Sequence, residues 1–263
     1  MMRLALSNIG FAQADTPAVY AALRKDGFTG LEIAPSIFAG ENPYACADTA
    51  AQAAQALSEE YGLVIASMQS IWYGQQGNIF ETADAARLAA YTKKAVCFAK
   101  AVGCKNLVFG CPKNRNIPSG GCVADARPFF AEIAKAAAEN ETCIALEANP
   151  AVYGTNFCNT SEQAFAFARS VPHLKVNYDL GTLLTNGESL QTLADSLPLV
   201  NHIHLSEPQL APLALTAERR ALYRDLAALL HGQAYGGFVS IEMKTQPFAT
   251  VERILAETAE VFA

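Results

Sequence analysis

Four residues of metal-ligand type recur at one kind of place in this sequence. The run CIALEANP at 143–150 passes through small and apolar residues to a single acid, Glu147. LKVNYD at 174–179 ends in Asp179, VNHIH at 200–204 in His204, and FVSIE at 238–242 in Glu242. Apolar runs of this length read as buried parallel strands. An ionised carboxylate at the end of such a strand is expensive unless it is paired or binds a cation. Carboxylates gathered from neighbouring strands also repel one another. Three oxygen donors and one imidazole suit one divalent ion of the Mn, Mg, Co or Zn group. For any one of the four, the plain alternative is a strand-end side chain bonded to loop backbone. Their recurrence in four successive strands favours a shared site.

Those ends need a scaffold that brings them together. The spacing predicts strands at 3–7, 28–33, 63–68, 106–110, 143–147, 174–179, 200–204 and 238–242. Helical patterns follow at 48–61, 83–102, 125–138, 160–170, 190–196, 216–230 and 249–262. The first helix starts near Asp15, Thr16 and Pro17, an N-cap followed by proline in the first turn. The stretch 69–80 fits neither period and reads as a long loop. Eight strand–helix units without a composition break predict one α/β domain over residues 1–263, a single (β/α)8 barrel of the TIM type. An open doubly wound sheet is the runner-up. It has no GxGxxG after the first strand and no GxxxxGK[ST] to support it. In a barrel of this kind the site lies at the C-terminal strand ends.

Composition narrows the partners. The chain has 263 residues, 51% hydrophobic and 17% charged, enough to bury a large core. A net charge of -6 argues against broad nucleic-acid binding, which needs a basic face. Four histidines are too few for the multinuclear zinc site of a repair endonuclease on a similar barrel. No run reaches the ~18 to 20 apolar residues of a membrane span. The opening MMRLALSNIG reads as the first strand rather than a signal peptide. Seven scattered cysteines with no CxxC suit a reducing compartment. The expected setting is cytoplasmic, with no nucleic-acid or membrane partner and with a homo-oligomer left open.

The second half resembles the xylose isomerase-like TIM barrel superfamily of sugar phosphate isomerases and epimerases. The resemblance lies in LEANP, NYDLG, HIHLSEP and SIEMK, and more loosely in GFTGLEI at 27–33. It implies that Glu147, Asp179, His204 and Glu242 share one divalent metal ion. It also implies that Glu147 and Glu242 are catalytic and move protons on a bound hydroxy-ketone. The implied partner is a small-molecule sugar or sugar derivative, and the implied enzyme an isomerase or epimerase. A dehydratase or lyase on the same scaffold and a non-catalytic sugar-binding barrel are the alternatives. Two positions depart from the pattern. Many relatives carry His three residues after the strand-six acid, where this chain has Thr182. Asp often stands three residues after the strand-seven His, where this chain has Glu207.

Further residues are candidates for substrate binding. Lys113 and Arg115 form a local basic pair in an acidic chain and are expected to hold an anionic group, unless the loop is merely solvated. Asn149 is placed to orient Glu147 or meet a hydroxyl. Glu32, at the end of strand two, is a candidate for substrate hydroxyls. Gln69 and Trp72 open the irregular loop, where an aromatic can cover a sugar face or simply pack. Glu207 and Lys244 complete the set. His202 shares a strand face with His204, and Tyr178 points away from Asp179.

Overall fold

The computed structural model describes residues 2–263. Its strands are β1 Arg3–Ser7, β2 Gly30–Ile33, β3 Val64–Met68, β4 Leu107–Phe109, β5 Ile144–Glu147, β6 Lys175–Asp179, β7 Val200–Ser206 and β8 Phe238–Glu242. Each pairs in parallel with the next, and β8 returns to β1 with Val239 opposite Leu4. The sheet is therefore a closed (β/α)8 barrel. Closure removes the unpaired edges that an open sheet leaves.

Helices cover the barrel because their apolar residues fall on one stripe. The helix Arg127–Glu139 buries Phe129, Phe130, Ile133, Ala134 and Ala137, a spacing of three and four. Pro128 sits in its first turn, where a missing N–H costs nothing. Fully burying one such phenylalanine contributes about 1.5 to 3 kcal/mol relative to exposure. The same logic buries Val251, Ile254, Leu255, Thr258 and Phe262 of the closing helix Phe248–Phe262.

Three differences from the sequence reading bear on the site. Strand β7 runs two residues further, to Ser206. A short helix, Pro35–Ala39, follows β2. An unexpected helix, Leu180–Asn186, starts directly after β6. Its N-cap is Asp179, whose carboxylate accepts the Thr182 N–H at 2.5 Å. Gly187, at φ 66°, closes it in the left-handed region.

The floor of the barrel is filled by Ala5, Ala66 and Phe238. A Cβ added at Gly30 would stand 2.6 Å from the Phe238 ring, 2.8 Å from Ala66 and 2.9 Å from Ala5. Gly30→Ala is therefore expected to destabilise the fold by about 1 to 3 kcal/mol through overpacking. Denaturant unfolding of the two proteins checks it, and equal midpoints would contradict it. Among the described residues, no helix is long and apolar enough to cross a membrane.

Candidate active site

Strand register sets the site. Asp179 lies opposite His204 in the β6–β7 ladder, and Glu147 lies opposite Asn177 in the β5–β6 ladder. Ser206 lies opposite Glu242 between β7 and β8. A register shift at Val176/Asn177 accommodates the extra residue of β7 and brings Asn177 level with His202. As a result Glu147, Asp179, His204 and Glu242 each offer a ligand atom, and these atoms all lie within 4.8 Å of one another.

His204 is the hub. Its Nδ1 lies 2.9 Å from Glu147 Oε1 and 3.1 Å from Glu242 Oε2. Its Nε2 lies 2.9 Å from Glu32 Oε2. With Glu32 as acceptor, Nε2–H is the donor and Nδ1 presents its lone pair to the acids. That buried Nδ1 has no well-aligned hydrogen bond among the described residues. Two ligands at about 2.1 Å from one ion, at right angles, stand about 3 Å apart. The Nδ1 spacings to Glu147 and Glu242 match that separation, and three carboxylates with one imidazole match the donor chemistry. The residues present therefore fit a divalent cation.

Neighbouring groups orient the ligands. Asn177 donates from Nδ2 to Glu147 Oε1 at 2.7 Å, and Asn149 from Nδ2 to Glu147 Oε2 at 3.1 Å. Ser206 donates to Asp179 Oδ2 at 2.5 Å. A Cβ at Gly110 would stand 3.0 Å from Glu147 Oε2, so glycine leaves room for that carboxylate. Burial, with the charge of Glu147, pushes the Asp179 carboxyl up to about 6. Burial pushes Glu242 up to about 7, against the pull of His204. In His204, burial lowers the pKa, but the charges of Glu242 and Glu32 outweigh it and hold the ring well above its usual value. Glu32 is also fully buried, yet His204 and His202 hold its carboxyl far below the usual range. Without a metal ion, a proton on His204 offsets part of this negative charge.

A cavity of about 260 Å3 opens above these groups, lined in part by Gln69, Gly110, Glu147, Asn149, His204 and Glu242. Loops around it hold Ser70, Cys111, Gln209 and Leu210 at positive φ. Such residues cost of order 1 to 3 kcal/mol each and cluster where a site must be shaped. Tyr153 donates no sequence pattern of its own, but its hydroxyl accepts the Gln209 N–H at 3.1 Å and joins the loops after β5 and β7. Burial, together with the charges of Asp179, Glu147 and Glu242, raises its phenol, as expected beside the cavity. The one hint was an aromatic in the turn between Pro150 and Gly154.

Four expected substrate contacts need correction. Arg115 is fully buried. Its guanidinium donates to Glu147 O at 2.9 Å and Asn149 Oδ1 at 2.7 Å, so it braces the end of β5 rather than facing the mouth. Trp72 is buried against Phe109 and Phe129, and its indole donates to Thr92 Oγ1 at 2.8 Å. Packing won over substrate stacking there. Glu207 is paired with Arg219 at 2.9 Å and accepts from the Tyr223 hydroxyl at 2.9 Å. Glu32 bonds the histidines beneath the cavity instead of a substrate hydroxyl, and His202 Nε2 lies 3.1 Å from it. Gln69 and Asn149 line the cavity, while Lys113 and Lys244 are exposed outside it. Thr182 turns its hydroxyl to Ala148 O at 3.0 Å. Tyr178 is buried and packs on Phe165.

No curated protein matches the chain. Solved structures do. YcjR, the 3-keto-D-glucoside 4-epimerase of E. coli, superposes with TM-score 0.70 at 18% identity, covering 99% of both chains. The D-psicose 3-epimerase of Clostridium cellulolyticum H10 gives 0.79 at 16%, covering 99% of this chain and 98% of its own. The D-allulose 3-epimerase of Methylomonas sp. gives 0.73 at 16%, covering 98% and 95%. At these identities the likeness is one of fold. The family model described as xylose isomerase-like TIM barrel matches residues 20–263. The chain belongs to the xylose isomerase-like TIM barrel family.

Proposed function

We propose that the chain is a metal-dependent epimerase or isomerase of a sugar or sugar derivative. The observation that carries this reading is the convergence of Glu147, Asp179, His204 and Glu242, whose ligand atoms lie within 4.8 Å of one another under a cavity at the strand ends. Glu147, Asp179, His204 and Glu242 are the ligands. The epimerase names of the solved neighbours support the same class.

A divalent ion held there supplies a Lewis acid that polarises a carbonyl and eases loss of the adjacent proton. The chain's own residues do the rest. Glu147 and Glu242 end β5 and β8, which are separated around the barrel by β6 and β7. Their carboxylates reach a substrate carbon from different sides. One takes up the substrate proton, and the other, protonated from solvent, donates its own proton to the opposite face or to the neighbouring carbon. Asn177 and Asn149 hold Glu147 in place.

Metal stoichiometry tests the ligand set. One Mn per chain is expected, with weakened binding in Asp179→Asn and His204→Ala. Full-affinity Mn binding by both variants would overturn it. A pH dependence follows from the same carboxyls. Metal binding needs them ionised, and protons compete as the pH falls through about 7 for Glu242 and about 6 for Asp179. Mn affinity is expected to drop about 10- to 100-fold between about pH 8 and about pH 5.5. Calorimetric titration across that range checks it, and a flat profile would contradict it.

A further inference from the structure

The cavity over the acids is small. At about 260 Å3 it falls just under the range of about 300 to 1,000 Å3 usual for small-molecule sites. It does not stand alone. Ile9 and Ser70 line it and also line a second cavity of about 710 Å3. That second cavity lies between the loop after β3 and the helix Pro35–Ala39 with the segment that follows it. Its lining includes Ser36, Glu41, Asn42, Tyr73, Gln75 and Tyr91.

The chemistry of this lining is specific. Two tyrosines, two amides and two serines surround it, with no Lys or Arg among the described lining residues. Glu41 is its one charged side chain, so a phosphate placed there meets repulsion rather than a partner. Arg87 comes within 3.4 Å of Gln75 Oε1, but it is already engaged by Asp84 at 3.1 Å and by the Gln76 carbonyl. Lys113 lines a third cavity on the other side of the β3 loop, which shares Ser70, Cys111 and Pro112 with the cavity over the acids. Arg115 is buried under the active site. Tyr73 is 76% exposed, so its ring face is open to a ligand. Aromatic faces pack against the C–H face of a pyranose, and amides and hydroxyls meet its hydroxyls.

Ser70 joins the two spaces. It sits at φ 52°, and its hydroxyl donates to the Gln69 amide oxygen. The left-handed turn bends the chain at the rim that both cavities share. Such strain persists only where the surroundings hold it, and it clusters at ligand sites.

We infer that the substrate carries a second, neutral sugar unit. Its reacting keto-sugar sits over Glu147 and Glu242, and its uncharged glycosyl group occupies the cavity lined by Tyr73, Gln75, Tyr91 and Asn42. This rests on the proposed sugar-epimerase function and adds the class of substrate: a neutral glycoside rather than a sugar phosphate.

Binding to the Mn-loaded protein tests it. The probes are D-fructose, D-fructose 6-phosphate, and the neutral glucosyl-fructose isomers turanose, maltulose, leucrose and isomaltulose. At least one disaccharide is expected to bind about tenfold or more tighter than D-fructose, the effect of a few neutral hydrogen bonds. The phosphate is expected to bind no tighter than D-fructose. In the double variant Tyr73→Ala, Gln75→Ala the ratio of disaccharide to D-fructose affinity should fall toward one. D-fructose binding as tightly as all four disaccharides, or tightest binding of the phosphate, would overturn the glycoside inference alone. Stoichiometric Mn uptake with no binding of any of the six sugars would overturn the sugar-epimerase reading and this inference with it.

Discussion

Glu147→Gln and Glu242→Gln are each expected to lower turnover by about 10² to 10⁴, the usual contribution of a positioned acid or base. Glutamine keeps the size and one oxygen of the side chain, but it cannot take up the proton. The two losses should differ in character. Glu147 is held by two asparagine amides, so glutamine there also disturbs the bonds from Asn177 and Asn149. Glu242 lies near His204 Nδ1 at 3.1 Å and has no such clamp among the described residues. Its variant is expected to keep more of the ground-state binding. Metal content must be measured in the same samples, because both residues are proposed ligands. Variants that retain Mn and retain near-normal turnover would end the two-glutamate account.

The second large effect concerns a residue buried behind the ligand cluster. Glu32→Gln is expected to weaken Mn binding about 10- to 100-fold, as loss of a carboxylate behind a metal-bound histidine does. That range equals about 1.4 to 2.8 kcal/mol. Glu32 Oε2 lies 2.9 Å from His204 Nε2 and 3.1 Å from His202 Nε2 in a fully buried pocket. An amide removes the charge that steadies the Nε2–H and so frees the other tautomer. Competition against a fluorescent chelator reads the affinity directly. Thermal unfolding of the metal-free protein separates this loss from simple misfolding. Affinity within twofold of the parent would show that Glu32 has no such positioning role.

How much of this was legible beforehand follows from range. The strand-end residues were legible because a buried strand needs only local apolar sequence, and an acid at its end stands out against it. Period-two alternation placed His202 and His204 on one face without any tertiary knowledge. The contact of Glu32 with His204 was not legible. It spans 172 residues and exists only because the barrel closes. Asp179 shows a different limit. One carboxylate stands in the ligand cluster and also caps the helix Leu180–Asn186, and the sequence reading used it for the first role only. Trp72 and Arg115 failed because burial, not residue type, decides their role. An aromatic or a cation in an irregular loop looks the same in sequence whether it faces solvent or the core. Tyr153 was missed for the mirror reason, since a lone tyrosine in a turn carries no period.

The most direct test of the central proposal is hydrogen exchange at the carbon beside the substrate carbonyl. Mn-loaded protein is incubated in deuterium oxide with the ketoses named above, and the products are followed by proton NMR. The account predicts deuterium at that carbon together with the epimeric or isomeric product, both lost on metal removal and in Glu147→Gln and Glu242→Gln. Product formed at the same rate without metal, or fully metal-loaded protein that neither exchanges nor converts any of these sugars, would contradict it.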